Sequence, residues 1–328
     1  MIHLQITDID KKVQDHFNRV CNDSEGKKGP DSIKGLISIV QNKIKAETDS
    51  PRRTFYETLL EDIKPGRHVS LISATPDQLH HKMEFYQKNF GAVMTEDFRK
   101  SLLKSCFFYH NYDKWGAYEL AKDLGVNVCP YCNRQYTFTM SSSTGKTRPQ
   151  FDHFYDKATY PYLSMSFYNL VPSCSICNSG FKGSTKFSFD RSSHPYIEGF
   201  DPDIKFTIKP YNVSFINGKS SAYKIKFAIS NKAITVNKKY KAGRNIYNFK
   251  LVELYNHHKD YVDELIIKAR IYNQDYIESL FREFQGTLFG SIEDVKRMIV
   301  SNYTNESELG KRVLSKLTAD ISAELGLI

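Results

Sequence analysis

The chain reads as an α+β protein, mainly helical, with a small metal-stapled β region at its centre. Apolar residues recur at helical spacing in both flanks, and short alternating runs separated by turn residues fill the middle. Two Cys-x-x-Cys pairs enclose part of that middle. At 328 residues and 40% hydrophobic content, the chain can bury a sizeable core in two or three structural units.

Residues 1–125 are expected to form an N-terminal helical region. After Ser32 as N-cap, Ile33, Leu36, Ile37, Val40 and Ile44 share one helical face, interrupted by Gly35. Thr75-Pro76-Asp77 marks a helix start, because proline at the first position gives up an amide that would be unpaired anyway. That helix runs to near Gly91. Lys114 to Leu124 forms another, with Trp115, Leu120, Ala121 and Leu124 apolar and Gly125 closing it. SEGKKGPDS (24–32) and DSPRRT (49–54) read as loops.

Residues 126–195 read as short strands and turns with one short helix. RQYTFTM (134–140) alternates, SSSTGKTRP (141–149) turns, and QFDHF (150–154) is a strand ending near Asp152 and His153. NLVPSC (169–174) returns as the next strand, and a helix begins around CSIC (174–177). Residues 196–245 form a basic β-rich segment: FTIKPYNVSF (206–215), AYKIKFAI (222–229) and AITV (233–236) alternate, with Asn217-Gly218 as a hairpin turn. Residues 246–328 are helical again. Tyr261/Val262, Leu265/Ile266, Ala269, Tyr272, Tyr276/Ile277, Leu280/Phe281 and Phe284 keep one rhythm until Gly286 and Gly290, and KRVLSKLTADISAELG (311–326) is a terminal helix.

Six cysteines are present. Cys129/Cys132 and Cys174/Cys177 form pairs separated by 41 residues, and four thiolates so spaced can close a tetrahedral zinc site. A thioredoxin-like redox site needs only one such pair in a βαβ setting, so zinc is the favoured reading. Cys21 and Cys106 stand alone and read as buried apolar residues. The start MIHLQITDIDKK lacks a basic segment followed by an apolar one, and no stretch reaches the roughly 18 apolar residues of a span. A cytoplasmic protein without a membrane segment is expected.

The net charge is +9. From Ile204 to Lys250 there is no Asp or Glu, yet there are eleven Lys or Arg interleaved with aromatic residues. A solvated basic face is the bland explanation; the absence of acids over this length favours a phosphate-binding surface, with Lys224, Lys226, Lys238 and Lys239 as candidates. Lys182 and Lys186, just after the second cysteine pair, are further candidates for phosphate, with solvated surface lysines as the bland alternative.

Between the pairs lie Asp152-His153 and Asn169, and Asn178 follows Cys177. Hydrolysing a phosphodiester needs an activated water, a Lewis acid on the leaving oxygen and relief of phosphate charge. A neutral imidazole takes a water proton near pH 7. Carboxylate and amide oxygens hold Mg²⁺. Asp152, His153 and Asn178 are therefore candidates for this chemistry, while Asn169 either holds the imidazole or pins the loop.

The string Cys-x-x-Cys, Asp-His, Asn-Leu-x-Pro-x-Cys-x-x-Cys-Asn, Lys-Gly over about residues 129–183 resembles the HNH endonuclease family. The resemblance implies a ββα-metal core with His153 as general base, Asp152 as metal ligand and Asn169 orienting the catalytic loop. The third signature position, commonly His, is Asn178 here, an HNN variant that suits Mg²⁺ or Mn²⁺; the four cysteines match the family's structural Zn²⁺. CPYCNRQYTF, YPYLSMSFYNLVPSCSICNSGFKGS and a later HPY further resemble HNH effectors of Septu-type and retron-associated anti-phage systems. That likeness implies a separate ABC/SMC-like ATPase as partner, with a retron reverse transcriptase and its msDNA as further possible partners. DNA is the expected substrate. The alternatives are a ribonuclease acting on structured host RNA and a non-catalytic zinc-knuckle protein that binds nucleic acid or scaffolds a complex. His194, in SHPY, reads as a structural turn, with positioning of phosphate or metal as the alternative; His80/His81 and His257/His258 read as surface residues. On this reading, His153→Ala and Asp152→Ala remove cleavage and leave the fold unchanged.

Overall fold

The computed structural model describes residues 1–23, 34–64, 69–107, 115–211 and 222–328. It is about half helical with small antiparallel sheets, an α+β architecture. The chain divides into two compact units, each assembled from discontinuous segments. One contains Ile6–Val126 and Thr137–Ile197; the other contains Met1–Gln5, Asn127–Tyr136 and Glu198–Ile328.

The first unit carries helices α1 (Ile9–Cys21), α2 (Leu36–Ala46), α3 (Ser50–Ile63), α4 (Pro76–Phe90), α5 (Glu96–Ser105) and α6 (Ala117–Leu124). In α4, Thr75 and Gln78 form a reciprocal capping box behind Pro76, and Gly91 closes the helix as its sequence predicts. Gly125 ends α6 at φ +60°, a left-handed position that glycine takes without a Cβ penalty. Leu36 and Val40 of α2 are buried; all of SEGKKGPDS, Ile33 and Lys114 lie outside the described residues. DSPRRT is not a loop. Asp49 accepts from the Arg52 amide and Pro51 sits in the first turn, so this polar run opens α3. Phe55, Tyr56 and Leu59 of α3 are buried, with Phe55 edge-on to Tyr86, Phe90, Phe98 and Tyr162. The lone Cys21 and Cys106 are buried, and burial pushes both thiols up to about 12.

His16 of α1 is fully buried, edge-on to Trp115 and Phe167, with Nε2 2.8 Å from the Met165 carbonyl oxygen. A carbonyl only accepts, so Nε2–H donates. Burial pulls the His16 pKa from 6.5 down to about 4, with the Met165 bond opposing and the Arg19 charge adding to the fall. Between those values the unfolded chain binds a proton that the folded chain refuses, so stability falls as pH falls through that window. The full loss is about 3 kcal/mol. His16→Gln, which keeps an N–H for Met165, is expected to lose less stability than the wild type between pH 6.5 and 4 in urea titrations. An identical pH slope would exclude His16 as the acid-sensitive group.

The second unit carries β5 (Ile204–Pro210) and β6 (Tyr223–Ile229), an antiparallel ribbon, with α7 (Val236–Asn248), α8 (Leu251–Tyr255), α9 (Lys259–Ile271), α10 (Gln274–Phe284), α11 (Ile292–Val300) and α12 (Ser315–Glu324). The ribbon's inner face packs Phe206 on Phe227 and Tyr255, while Asp320 of α12 accepts from the Phe206 amide. Lys316, fully buried, is matched by Asp201 and Asp320. AITV is not a strand, because Thr235 caps α7 by accepting from the Lys238 amide. The rhythm from Tyr261 to Phe284 is two helices, divided where Asn273 caps α10. The terminal helix starts at Ser315, several residues later than its apolar pattern predicts. The Asn217-Gly218 turn lies outside the described residues.

Candidate functional site

Strand β3 (Gln150–His153) pairs antiparallel with β4 (Leu170–Ser173), placing Asp152 opposite Val171 and His153 opposite Leu170. RQYTFTM pairs less than its alternation predicts: Tyr136 makes an isolated bridge with Val128, and β1 (Met140–Ser141) pairs with β2 (Lys146–Thr147) around the turn. After the second cysteine pair the chain winds as a π-helix, Ile176–Lys182, whose wide turn is marked by Gly183 N–H donating to Asn178 O at 2.9 Å. It carries Lys182 onto β3. There the ammonium donates to Asp152 Oδ1 at 2.8 Å and to the His153 carbonyl, and it lies 5.2 Å from the Phe187 ring centroid.

Asp152 is 2% exposed and Lys182 3%. Lys182 is therefore an interior partner of the carboxylate, not the solvent-facing phosphate contact its sequence position suggests. Lys186, by contrast, is exposed. His153 is buried, with Nε2 3.1 Å from the Ser164 carbonyl oxygen. Because that oxygen only accepts, Nε2 carries the proton in the neutral ring and Nδ1 is the basic nitrogen. The Ser164 hydroxyl is buried without a hydrogen-bond partner among the described residues.

Asn169, fully buried, joins both ends of the connection between the strands. Its Oδ1 accepts from the Tyr155 amide at 2.7 Å, and its Nδ2 donates to the carbonyls of Tyr155 and Leu163. These bonds pin the loop that presents the Ser164 carbonyl, so Asn169 reaches the imidazole through that loop. Asn178 is half-buried and donates through Nδ2 to Gln150 Oε1 at 2.9 Å, leaving Oδ1 as its possible metal-binding atom. His194 is buried, its ring 4.2 Å from that of Phe154, and its Nδ1 lies 3.4 Å from the Tyr196 amide, in keeping with a structural turn. His80 is not a surface residue: its Nδ1 lies 2.9 Å from the hydroxyl of Tyr155. His258 precedes α9 and accepts from Arg134 Nε.

Cys129, Cys132, Cys174 and Cys177 are all buried, and their Sγ atoms lie within 4.8 Å of one another. A Zn–S distance of about 2.3 Å in a tetrahedron separates sulfur atoms by about 3.8 Å, so the cluster can hold a metal ion such as zinc. Each pair sits on a tight knuckle: the Arg134 amide donates to Cys132 Sγ and the Cys177 amide to Cys174 Sγ, both at 3.4 Å. Asn133, at φ +52°, turns the first knuckle, and its side chain and backbone bond Leu309, Leu314, Ser315 and Lys316. Tyr255 donates to Cys132 O at 2.6 Å and Tyr131 stacks on Phe249. Sequence inspection missed this anchoring, because no motif marks an asparagine that ties a knuckle to residues so distant in sequence.

Lys224 and Lys226 lie half-exposed on the outward face of the ribbon. Lys239 is exposed on α7, whereas Lys238 is ion-paired with Asp203, just outside the acid-free stretch. That ammonium holds the Asp203 carboxyl below its usual range.

The buried Lys182–Asp152 pair overturns the expectation that Asp152→Ala leaves the fold unchanged, since it strands an ammonium inside. Lys182→Met removes the ammonium hydrogen-bonded to the buried Asp152 carboxylate and is expected to cost about 3–5 kcal/mol, and adding Asp152→Asn should recover most of that. Urea unfolding of the two single variants and the double variant measures the coupling. Strictly additive losses would mean the pair contributes nothing.

No family model matches the chain, and no solved structure matches it. Over 134 residues it is 33% identical to "Protein ea31" of Escherichia phage lambda, a match spanning 40% of this chain and 39% of that protein. Among the described residues no helix is long and apolar enough to cross a membrane.

Proposed function

We propose that the chain is a metal-dependent HNH-type endonuclease that hydrolyses phosphodiester bonds in nucleic acid, DNA foremost. The carrying observation is the setting of His153, whose Nε2 is engaged by the Ser164 carbonyl so that Nδ1 is the proton acceptor, next in sequence to the Asp152 carboxylate. The order of two antiparallel strands followed by a short helix supports the same reading. In it, His153 takes the proton of the attacking water and Asn169 keeps the imidazole's carbonyl partner in place.

Asp152 and the Asn178 amide oxygen are hard donors that suit Mg²⁺ or Mn²⁺, and the unpartnered Ser164 hydroxyl adds polar capacity beside His153. Such an ion would be held with, or in place of, the Lys182 ammonium, and when bound would offset the charge developing on the leaving oxygen. The zinc held by the four cysteines is structural. A cytoplasmic nuclease needs restraint, and the residues flanking the candidate core offer ample surface for an ABC/SMC-like ATPase; a retron reverse transcriptase with its msDNA would be a further partner. HNH chemistry does not require deoxyribose, so structured RNA belongs among the substrates tried.

The Lys182–Asp152 pair favours one other reading. With its carboxylate already matched by an ammonium, the chain would be a zinc-stapled nucleic-acid-binding protein without catalysis.

The test is nicking of supercoiled plasmid and cleavage of structured RNA by zinc-replete protein, purified with any ATPase encoded beside it. The expected result is cutting that requires added Mg²⁺ or Mn²⁺ and stops in His153→Ala. Equal cutting by His153→Ala sinks the nuclease reading; binding without cutting favours the second.

A further inference from the structure

Helix α7 contains no acidic residue, and its solvent side is partly aromatic. Val236, Tyr240, Gly243 and Tyr247 recur at helical spacing and are all exposed. Tyr240 is 50% and Tyr247 71% exposed, although a tyrosine ring is ordinarily buried at least in part. Each ring has a cation over it: Arg244 Cζ lies 6.0 Å from the Tyr240 centroid and Lys250 Nζ 4.0 Å from that of Tyr247. The rings are seven positions apart, about 10 Å along the axis, so each can take a flat partner of its own.

The ribbon in the same unit carries a second, independent feature. Lys205, Lys209, Lys224 and Lys226 alternate with the inward-facing residues and so share its outer face, and Lys209 is directly opposite Lys224. Like charges at opposed positions destabilise a sheet, so folding gives no reason for the pair, and a polyanion would relieve it. Among the acids near this region, Asp203 is engaged with Lys238 and Asn231, Glu324 with Thr207 and the Ile208 amide, and Asp263 with the Tyr223 hydroxyl.

We infer that this unit binds single-stranded nucleic acid, with unpaired bases stacking on Tyr240 and Tyr247 and the outer lysines of the ribbon meeting the phosphates. The inference rests on the reading of nucleic acid as ligand. Duplex DNA hides the faces of its bases and would meet only the charges, so exposed aromatic rings select for unpaired segments. A protein partner docking on the same tyrosines is the competing occupant.

The experiment is fluorescence anisotropy of labelled dT20 and of a 20-base-pair duplex with the full chain. Omitting Mg²⁺ and Mn²⁺ from the buffer keeps cleavage from interfering while the zinc stays in place. The wild type is expected to bind dT20 more tightly than duplex. Tyr240→Ala/Tyr247→Ala should lose roughly five- to hundredfold per ring for dT20, with the salt slope unchanged. Tyr240→Phe/Tyr247→Phe should retain binding, since stacking needs no hydroxyl. Lys209→Gln/Lys224→Gln should instead flatten the salt slope. Tyr276→Ala removes an exposed tyrosine from a helix bearing Asp275 and Glu278, and should change nothing. Unchanged dT20 binding in the alanine variant, or duplex bound as tightly as dT20 by the wild type, overturns the inference and leaves the tyrosines to a protein partner. Tyrosine-dependent binding together with full cleavage by His153→Ala would overturn the nuclease reading alone.

Discussion

Replacing Cys129 or Cys174 with serine is expected to be the most destabilising single change in this chain. Four buried sulfur atoms within 4.8 Å of one another are a poor arrangement without a metal, because four thiolates repel and four thiols fill the space badly. With zinc bound, the metal's affinity becomes folding energy, on the order of 10 kcal/mol or more in small zinc modules. The knuckles flanking the cluster depend on it directly: the Arg134 and Cys177 amides donate to sulfur, and those bonds strengthen when the sulfur carries charge. The expected outcome is loss of one zinc per chain by elemental analysis, a fall in the melting temperature, and increased hydrogen exchange around residues 129–136 and 174–183. Zinc-free protein that melts as the wild type does would show that the four cysteines are only apolar filling.

On the proposed nuclease reading, His153→Ala is expected to lower cleavage by about 10²–10⁴-fold, the usual contribution of a positioned general base. Stability should change far less than with the two residues beside it in space. His153→Ala loses the hydrogen bond to the Ser164 carbonyl, at about 1 kcal/mol, plus the cost of the space left. Asp152 and Lys182 instead share a buried ion pair, so removing either confounds a loss of activity with a loss of fold. His153 is therefore the variant that tests chemistry, and rates must be compared with zinc content and melting temperature measured on the same preparation. Wild-type cleavage by the purified variant, with contaminating nucleases controlled, sinks the HNH-type nuclease reading.

Much of the fold is legible in the sequence where the signal is local. The proline-led start of α4, the glycine closing α6 and the strands at QFDH and LVPS all follow from side chains near their own backbone. DSPRRT misled because its composition is that of a loop, while Asp49, Pro51 and the apolar residues that follow form a helix start. AITV misled because β-branched residues favour a strand until Thr235 finds the Lys238 amide and caps a helix instead.

By itself the sequence determined the residue types of the site: four cysteines at ligand spacing, Asp152 beside His153, and asparagines at positions 169 and 178. Covalent spacing is enough for that, since the donors within each pair are held close whatever the rest of the chain does. Only the tertiary structure decided what those groups meet. The four sulfurs converge, Asn169 spends its amide on the backbone of the Tyr155–Leu163 loop, and Lys182 turns inward onto Asp152. A lysine in a sequence reads as a surface charge, because exposed is where lysine usually lies. Whether it does depends on a carboxylate 30 residues away being buried beside it, and the cost of leaving that charge unpaired draws the ammonium inside.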